Sequence, residues 1–524
     1  MNAYLLLNIA GSIVPDQEIL TFGTRRQTYA QVIERTGLLA SALASYGVRQ
    51  GDRVGIISTN SPEVVEAFFA TFQLGATVVP INYRAKAEEL AFMLEDAGLK
   101  VLLIEKRYAD LLEPLAADKG IARTIIVDGY HRVGQEYEEV IQSSSHPLID
   151  FADVDDSDLA ILLYTSGTTS RPKGVMITYG QLSNYVMGHS EAADGLPKGA
   201  SMIVVPNYHV AGATSICNGI YSGRRLILLR QFEAEDWLQT VEKEKATHAF
   251  LVPTMLKRVI DHPNFSKTNL SSLQSLSYGA APMPFPVIRR AIELFPKTTE
   301  FANGFGMTET TSTVSVLGPE DHKLTGSKKE IEKKIQRLSS VGKPLPGVDI
   351  LIMDDNHKPV EANTIGNVYV RTERSMKGYW KRPDASSETI INGWINTKDM
   401  GWLDEDGYLF LSGRSSDMII RGGENISPQE IEDVLLEHEE VSDVAVIGTP
   451  SLDWGEEVMA VIVATNPEAS PQPEELIAHC RKYLASFKCP VRIEFVTELP
   501  QTSSGKILKK DLREQFLNVS QTKN

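Results

Sequence analysis

The sequence predicts an α/β protein with a separate small α+β unit at its C-terminal end. Three observations support this prediction. Up to about residue 340, short apolar runs alternate with segments of helical periodicity, which is typical of parallel sheets covered by helices. From about residue 341, strand-like runs follow one another without a long helix between them, which favours an antiparallel or barrel-like subdomain. From about residue 417, a capped helix and two more apolar runs predict the compact α+β unit.

The first part of the chain contains a series of short apolar runs that predict buried strands. Thr28 is positioned to cap a helix that reaches Tyr46 and stops at Gly47, and Ser61-Pro62 opens another helix with proline at its first position. The predicted strands are residues 54–57, 77–81, 101–104, 124–127, 161–164, 202–205, 226–229, 250–252 and 276–278.

The later parts of the chain follow different patterns. Residues 348–353, 366–371 and 408–411 predict the strands of the barrel-like subdomain. In the C-terminal unit, Ser427 and Glu430 flank Pro428 in the order of a capping box, in which both side chains satisfy free N–H groups at the start of a helix. The remaining elements predicted there are strands at 443–447 and 458–463 and a helix near 473–484.

Composition excludes several classes of protein. The chain has 524 residues, and 52 basic against 68 acidic residues give a net charge of −16, which argues against a general nucleic-acid binder. Cys217, Cys480 and Cys489 lack zinc-type spacing, so we expect buried thiols rather than a disulfide framework or a metal site. No apolar window is long enough for an integral membrane segment, and we expect a cytoplasmic protein. The lysine-rich residues 323–337 predict a solvated helix rather than a contact with the phosphates of a ligand or with a membrane surface.

A loop rich in hydroxyl groups follows the predicted strand 161–164. Residues 164–174 read YTSGTTSRPKG, and their hydroxyls and free backbone N–H groups suit phosphate oxygens. Lys173 supplies a compact positive charge. The loop is not a Walker A motif, because Lys173 precedes the closing Gly174 instead of following it. The pattern therefore predicts a different kind of phosphate-binding loop.

This loop resembles the phosphate-binding signature of the adenylate-forming superfamily, which includes acyl-CoA synthetases, aryl-CoA ligases, luciferases and the adenylation domains of peptide synthetases. Five further segments resemble the motifs of this family in the same order, with a pattern closest to medium- and long-chain fatty acid–CoA ligases. They are residues 279–282 (GAAP), residues 304–310 (GFGMTET), the stretch around Asp399, Gly413-Arg414, and residues 500–506 (PQTSSGK).

The resemblance implies a domain organisation. The large N-terminal domain, residues 1–414, is expected to contain two α/β subdomains and a β-barrel-like subdomain. A hinge at residues 415–416 is expected to lead into a small mobile α+β C-terminal domain, residues 417–524, which carries the catalytic lysine, Lys506. Ser416 stands at the hinge position, where relatives usually have lysine or aspartate.

The resemblance also implies the residues that bind ATP or AMP. Glu309 is a hard oxygen ligand suited to Mg²⁺, Thr308 is expected to donate to the α-phosphate, and Lys506 is expected to stabilise charge at the carboxylate and α-phosphate. The complete expected nucleotide set is Thr165, Ser166, Gly167, Thr168, Thr169, Lys173, Gly279, Ala280, Ala281, Gly304, Phe305, Gly306, Met307, Thr308, Asp399, Arg414 and Lys506.

A further set is expected to hold the acid and CoA. His209 is expected to contact the carboxylate or to swing aside for the thiol, and Gly422 and Gly423 are expected to keep the CoA passage open. Acetate and propionate enzymes carry a tryptophan at the position of Gly306, so we expect a pocket that extends further here. The expected acid-binding residues are Tyr208, His209, Val210, Gly212, Ser277, Gly306 and Met307.

These expectations together describe an ATP- and Mg²⁺-dependent acid–CoA ligase. It would activate a hydrophobic carboxylic acid, by expectation a medium- or long-chain fatty acid, as acyl-AMP, release pyrophosphate and transfer the acyl group to the thiol of CoA. The alternatives left open are an aryl-CoA ligase for benzoate- or 4-coumarate-like acids, a stand-alone ligase that loads a carrier protein, a luciferase-like enzyme and a catalytically silent nucleotide-binding scaffold. The expected partners are the acid, ATP and CoA, without nucleic acid, and a homodimer is compatible with the sequence.

Overall fold

A computed structural model describes residues 1–112, 123–165, 171–422, 424–451, 453–501 and 507–520. Within these residues the strands form four sheets of nine, eight, five and five strands. The α-helices are α1 (Leu5–Ile13), α2 (Tyr29–Ser45), α3 (Pro62–Gln73), α4 (Ala87–Ala97), α5 (Tyr137–Ser143), α6 (Tyr179–His189), α7 (Val210–Tyr221), α8 (Ala234–Glu244), α9 (Pro253–Ile260), α10 (Phe285–Leu294), α11 (Pro319–His322), α12 (Lys328–Arg337), α13 (Pro383–Thr389), α14 (Pro428–Leu436), α15 (Pro473–Tyr483) and α16 (Lys509–Ser520).

The strands of the first half are β1 (Glu18–Phe22), β2 (Arg25–Thr28), β3 (Arg53–Ile57), β4 (Thr77–Pro80), β5 (Val101–Glu105), β6 (Arg123–Val127), β7 (Gln135–Glu136), β8 (Leu159–Thr165), β9 (Lys173–Thr178), β10 (Ala200–Ile203), β11 (Arg225–Leu228), β12 (His248–Leu251) and β13 (Ser275–Gly279). Those of the second half are β14 (Glu300–Met307), β15 (Ser312–Leu317), β16 (Lys343–Pro344), β17 (Val348–Met353), β18 (Gly366–Thr372), β19 (Gly378–Tyr379), β20 (Ile390–Ile391), β21 (Trp394–Leu403), β22 (Leu409–Arg414), β23 (Ile419–Arg421), β24 (Glu424–Ile426), β25 (Val441–Ser451), β26 (Gly455–Ala464) and β27 (Arg492–Phe495).

The first sheet is the eight-stranded one, in the order β19-β9-β8-β4-β3-β5-β6-β7. From β8 to β7 its strands are parallel, whereas β9 and β19 are antiparallel additions at one edge. Successive residues of β5 enter different cores, since Leu102 packs in one hydrophobic cluster and Leu103 in another. The sheet is therefore covered on both faces, as its continuous apolar strands predicted.

The second sheet has nine strands, in the order β16-β15-β14-β13-β12-β10-β11-β1-β2. Its inner strands are parallel, and the β14–β15 hairpin is antiparallel. The β1–β2 hairpin from the N-terminal region joins the far edge, where Leu20 pairs with Leu226. We did not predict this hairpin, because β2 has the polar sequence RRQT and carries no apolar signal.

The third sheet is antiparallel, in the order β17-β18-β21-β20, with β22 paired to β21. Strand β21 was not predicted, because its regularly alternating buried positions are Ile395, Thr397, Asp399 and Gly401, and only the first of these is a large apolar residue. The two α/β layers, this half-barrel sheet and the small C-terminal unit together confirm the predicted fold class.

The C-terminal unit packs α14, α15 and α16 around a sheet in the order β24-β23-β26-β25, with β27 paired to β26. The predicted capping box at α14 is wrong. The Ser427 hydroxyl donates to the carbonyl of Ser412 at 2.7 Å, and Glu430 forms an ion pair with Lys488 at 2.7 Å. Tertiary partners therefore take both side chains away from the helix terminus.

Other local predictions are confirmed. Thr28 caps α2 in a complete capping box. All three cysteines are buried free thiols, and burial raises the pKa of Cys217 and Cys480 to about 12. Helix α12 buries none of its residues, as a solvated helix should. None of the helices in the described parts of the chain is long and apolar enough to cross a membrane.

Candidate nucleotide and acid site

The predicted phosphate loop connects β8 and β9, which form an antiparallel hairpin. Thr165 and Lys173 are directly opposite each other at the end of the hairpin next to the loop. The Thr165 hydroxyl donates to the carbonyl of Lys173 at 3.4 Å. The hairpin register therefore fixes the position of Lys173, the first residue of β9 after the loop. The predicted residues between them, Ser166, Gly167, Thr168 and Thr169, lie outside the described residues.

Tyr379 connects the lysine of this hairpin to the predicted metal ligand. The Lys173 ammonium lies 5.3 Å from the centre of the Tyr379 ring, and the Tyr379 hydroxyl donates to Oε1 of Glu309 at 2.8 Å. Burial and the Glu309 carboxylate both raise the pKa of Tyr379, so the hydroxyl keeps its proton and remains a donor. Sequence analysis missed Tyr379, whose only signal is an aromatic residue after Gly378 in a turn-rich stretch.

The backbone around Glu309 is held on both sides. A short 3₁₀ helix, Thr308–Thr310, joins β14 to β15, and Thr311 and Ser312 then adopt positive φ angles of 49° and 86°. The N–H of Met376 donates to the carbonyl of Glu309 at 2.7 Å. The Glu309 side chain is thus buried at a fixed turn rather than exposed on a surface.

Asp399 and Arg414 form the ribose side of the predicted site. They are directly opposite on β21 and β22, and Arg414 Nε lies 2.9 Å from Asp399 Oδ1. Arg414 also donates through Nη1 to the carbonyl of Thr397 at 2.8 Å. Arg414 is close enough to Tyr379 to oppose the rise in the pKa of that hydroxyl. Lys173, Glu309 and Arg414, predicted from separate motifs, therefore lie near one tyrosine, and Asp399 is joined to them through Arg414.

Two glycines are required by close backbone contacts. A Cβ at Gly279 would lie 2.1 Å from the carbonyl oxygen of Gly304 on the neighbouring strand, and Gly279 has a φ of 155°. A Cβ at Gly306 would lie 2.0 Å from the carbonyl oxygen of Ser312. Gly306 is thus required by the β14–β15 hairpin itself, and its presence carries no information about how deep an acid pocket extends.

The predicted acid-binding loop before α7 is tied to the first sheet. Asn207 donates through Nδ2 to the carbonyl of Ser58 at 2.8 Å and through its backbone N–H to Oδ1 of Asn60 at 3.1 Å. These buried amides were not predicted, and they join the carboxyl ends of strands from the two α/β sheets. They hold the buried Tyr208 ring 4.5 Å from His209, which is the N-cap residue of α7.

The remaining predicted acid residues lie on elements next to this loop. Gly212 sits in the first turn of α7, where a Cβ would meet the carbonyl oxygen of Pro206 at 2.2 Å. Val210 and Met307 pack against the same core cluster. Ser277 lies on β13, one strand away from the β14–β15 hairpin.

The loops on the adenine side are also described. Ala280, directly after β13, has a left-handed φ of 65°, and Ala281 follows it. Phe305 packs against the core of the third sheet. Ala280 and Phe305 directly follow Gly279 and Gly304, which pair across β13 and β14.

The predicted hinge and CoA passage are described in part. Ser416 is exposed in a turn in which the Asp417 N–H donates to the Arg414 carbonyl at 2.9 Å, and Asp417 pairs with Arg513 of α16 at 2.7 Å. Gly422 has a left-handed φ of 59° and donates to the Trp454 carbonyl. Gly423 and Lys506 lie outside the described residues.

Comparison with known proteins identifies the family. Residues 10–380 match the model of the AMP-binding enzyme family, and residues 430–506 match that of the AMP-binding enzyme C-terminal domain. The chain is 34% identical to a feruloyl-CoA synthase of an Amycolatopsis species, with 96% of each chain covered. It is 32% identical to a fatty acid–acyl-carrier-protein ligase of Streptomyces coeruleorubidus, with 95% of this chain and 93% of the relative covered.

A solved structure supports the same assignment. The anthranilate CoA ligase AuaEII in complex with anthranoyl-AMP superposes with a TM-score of 0.89 at 27% identity, covering 99% of this chain and 98% of that one. The family models cover most of the large domain and most of the small one, in the order that the motifs indicated. The chain therefore belongs to the AMP-binding enzyme family.

Proposed function

We propose that this protein is an ATP-dependent acid–CoA ligase that works through an acyl-AMP intermediate. The observation that carries the proposal is that Tyr379 contacts Lys173 and Glu309, while Arg414, which is near enough to act on the Tyr379 hydroxyl, pairs with Asp399. In the first half-reaction a carboxylate oxygen attacks the α-phosphorus of ATP and pyrophosphate leaves. In the second the CoA thiol attacks the acyl carbon and AMP leaves.

The first half-reaction requires two anions to approach each other, and the chain supplies cations for this task. Lys173 lies over the Tyr379 ring and Arg414 is held by Asp399, and both are suited to neutralise phosphate oxygens and to orient the ribose. Asp399 offers a carboxylate held by Arg414 for the ribose hydroxyls. We further propose that Lys506 completes this set, and that Thr308 donates to the α-phosphate.

Mg²⁺ fits the residues that are present. The described residues contain no group of three or more His, Cys, Asp and Glu side chains that would form a complete metal cage. Mg²⁺ is commonly bound in enzymes by one or two carboxylates together with substrate phosphates, which agrees with a single oriented carboxylate at Glu309. When bound, the ion would neutralise charge on the phosphate oxygens.

The acid is proposed to lie between the 206–209 loop, the start of α7 and the β14–β15 hairpin. Tyr208, Val210, Gly212 and Met307 give this region an apolar character, which suits either a fatty-acid chain or an aryl ring. Free CoA is the acceptor that we favour, with a carrier-protein thiol as the alternative. The relatives themselves include an aryl-CoA synthase and a fatty acid–carrier ligase.

The proposal also includes the domain division. Residues 1–414 form the proposed catalytic domain, Ser416 lies at the proposed hinge of residues 415–416, and residues 417–524 form the proposed mobile domain. Between half-reactions this domain is expected to reorient about the turn at Ser416, since a few backbone dihedrals are sufficient for such a motion.

The test is acid-dependent exchange of labelled pyrophosphate into ATP, run over a panel of fatty and aryl acids, followed by CoA-dependent release of AMP. We expect exchange with at least one class of acid and AMP release only when CoA is added. Lys173→Ala and Asp399→Ala should each reduce exchange about 100-fold or more. A wild-type protein that binds ATP but exchanges pyrophosphate with no acid would refute the ligase and favour a nucleotide-binding scaffold.

A further inference from the structure

Arg374 is a buried cation beside the β14–β15 hairpin. It is 6% exposed, and in the described part of the chain no carboxylate forms an ion pair with it. Its Nε donates to the Thr372 hydroxyl at 3.4 Å, and its Nη1 lies 3.2 Å from Nδ1 of His189. Nη2 has no hydrogen-bond partner among the described residues. One side of this guanidinium is therefore unsatisfied.

The neighbouring histidine does not compensate the charge. Burial lowers the pKa of His189, and Arg374 acts in the same direction, so the ring is neutral at pH 7. A buried charge without an opposite partner is strongly unfavourable, and such groups in proteins are normally paired. The Arg374 guanidinium therefore lacks a negatively charged partner. A neutral hydrogen-bond acceptor alone would not compensate its charge.

Tyr185 links Arg374 to the proposed acid pocket. The Arg374 guanidinium lies 5.7 Å from the centre of the Tyr185 ring, and the Tyr185 hydroxyl lies 3.5 Å from the hydroxyl of Thr313. Thr313 is opposite Gly306 in the β14–β15 hairpin, on the strand pair that borders the proposed acid. The unsatisfied cation is thus connected through Tyr185 to the strand pair that borders the proposed acid.

Further hydroxyl groups surround the same end of the pocket. Thr214 on α7 lies 3.5 Å from the hydroxyl of Ser312, and the Thr311 hydroxyl donates to the backbone carbonyl of Arg374 at 2.7 Å. Helix α7 begins at Val210 in the proposed acid site, so Thr214 lies one helical turn further along. Hydroxyl groups and the Arg374 guanidinium therefore lie beyond the apolar residues at the start of α7.

We propose that the acid activated by this enzyme carries a second anionic group at its far end, and that Arg374 binds that group beside Tyr185 and Thr313. This inference rests on the proposed function and specifies its substrate class. The substrate would be an acid with an apolar body and a distal carboxylate, or a group of similar charge. Arg374 acts by positioning the far end of the substrate and takes no part in the bond changes.

The test compares matched acids in the pyrophosphate exchange assay. A length series of α,ω-dicarboxylic acids is run beside monocarboxylic acids with the same number of carbons, and aryl acids are run with and without a distal carboxylate. For the best-fitting pair we expect kcat/KM of the wild-type protein to favour the dianionic acid about 10- to 100-fold, the range expected for hydrogen bonds to a charged group. A wild-type preference for the monocarboxylic member of every pair would overturn the inference.

Variants assign the preference to one side chain. Arg374→Met should remove the preference, mainly by raising KM for the dianionic acid, and should leave the monocarboxylic acid almost unaffected. Arg374→Lys should retain part of the preference, which also guards against a variant that merely misfolds. Arg371→Met is the matched control, because Arg371 lies three residues away and pairs with Asp349 on the surface at 2.8 Å. A preference that survives in Arg374→Met would contradict the proposal.

An inorganic anion is the remaining occupant to test. If phosphate or chloride raises the Tm of the wild-type protein but not of Arg374→Met, while the two members of each acid pair react equally, Arg374 holds a bystander ion and the inference fails. Exchange with none of the acids would instead remove the proposed function. Exchange with monocarboxylic acids alone would leave that function standing and remove only this inference.

Discussion

Tyr379 is a residue that no motif signals, yet it touches two of the groups expected to handle phosphate. Its hydroxyl fixes Oε1 of Glu309, and its ring faces Lys173. Hydrogen-bond partners of ligating carboxylates commonly contribute 10- to 100-fold to metal affinity or activity. A tyrosine in this position therefore controls the orientation of a carboxylate that is itself expected to bind Mg²⁺.

At this scale we predict that Tyr379→Phe raises the Mg²⁺ concentration needed for half-maximal pyrophosphate exchange and lowers kcat/KM for ATP about 10-fold. The ring contact with Lys173 would remain, so the loss would report the hydroxyl alone. Tyr369→Phe is the control, because the Tyr369 hydroxyl bonds to His357 at 3.0 Å in the third sheet. An unchanged Mg²⁺ dependence in Tyr379→Phe would argue against an orienting role.

At the scale of elements, helix α14 contains a carboxyl group with an unusual environment. Burial raises the pKa of Asp433 from 3.8 to about 7, the carboxylates of Glu432 and Glu437 act in the same direction, and a hydrogen bond from Gln429 opposes them. Because the pKa is raised on folding, the folded state binds the proton more tightly than the unfolded state. The contribution of Asp433 to stability therefore decreases as the pH rises from about 4 to about 7 and is constant above.

Asp433→Asn should thus raise the free energy of unfolding at pH 8 by about 1–3 kcal/mol, and by much less at pH 4.5. The asparagine keeps an acceptor for Gln429 and removes the charge. Denaturant unfolding of both proteins at the two pH values measures the difference. Glu439→Gln, which removes an exposed carboxylate just after the same helix, provides the comparison, and an equal gain at both pH values in Asp433→Asn would contradict the assignment to Asp433.

Sequence patterns predicted elements well where the local signal and the tertiary structure agree. The Thr28 hydroxyl accepts from the Gln31 N–H and begins α2 with a complete capping box. The Ser427 hydroxyl instead donates a hydrogen bond to the carbonyl of Ser412, so it does not cap α14. Strand β21 escaped prediction because Thr397, Asp399 and Gly401 fill buried positions, so its place depends on pairing with β18 and β22. These failures share one cause, since each depends on a partner that is distant in the sequence.

The residues of the candidate site also divide into those that a local sequence motif predicts and those that matter through distant partners. Asp399, Arg414 and Glu309 belong to ordered motifs and were expected at the site, although their roles remain predictions. Tyr379 and Arg374 have no local pattern, because one matters through a bond to Glu309 and the other through the absence of a carboxylate in its described surroundings.

At the scale of the whole molecule, the proposed mobile domain contacts the proposed catalytic domain in this structure. Ser427 bonds to Ser412. Lys257 on α9 of the large domain acts on Asp443 of β25, opposing the rise in the pKa that burial causes there. A contact that exists in only one arrangement of the domains affects only the half-reaction that uses this arrangement.

Lys257 also forms an ion pair with Asp261 on its own helix at 2.7 Å, so its attraction to Asp443 acts at longer range. We therefore predict that Lys257→Ala slows one half-reaction about two- to five-fold and leaves the other unchanged or slightly faster, as expected for a weak interaction between partly exposed charges. Pyrophosphate exchange measures the first half-reaction, and CoA-dependent AMP release from a pre-formed acyl adenylate measures the second. Arg258→Ala is the matched control, since Arg258 pairs with Glu233 at 2.7 Å. Equal slowing of both half-reactions would exclude a role in domain exchange.

The β1–β2 hairpin has a consequence for how the chain acquires its structure. Leu20 of β1 pairs with Leu226 of β11, so β1 is synthesised long before this neighbour exists. Until β11 emerges from the ribosome, β1 exposes unpaired backbone groups that favour association with other chains. When β1 has paired with β2, the side of β1 that will face β11 remains open during that interval. On the outer side of the hairpin, the polar and doubly positive RRQT sequence of β2 discourages non-native partners.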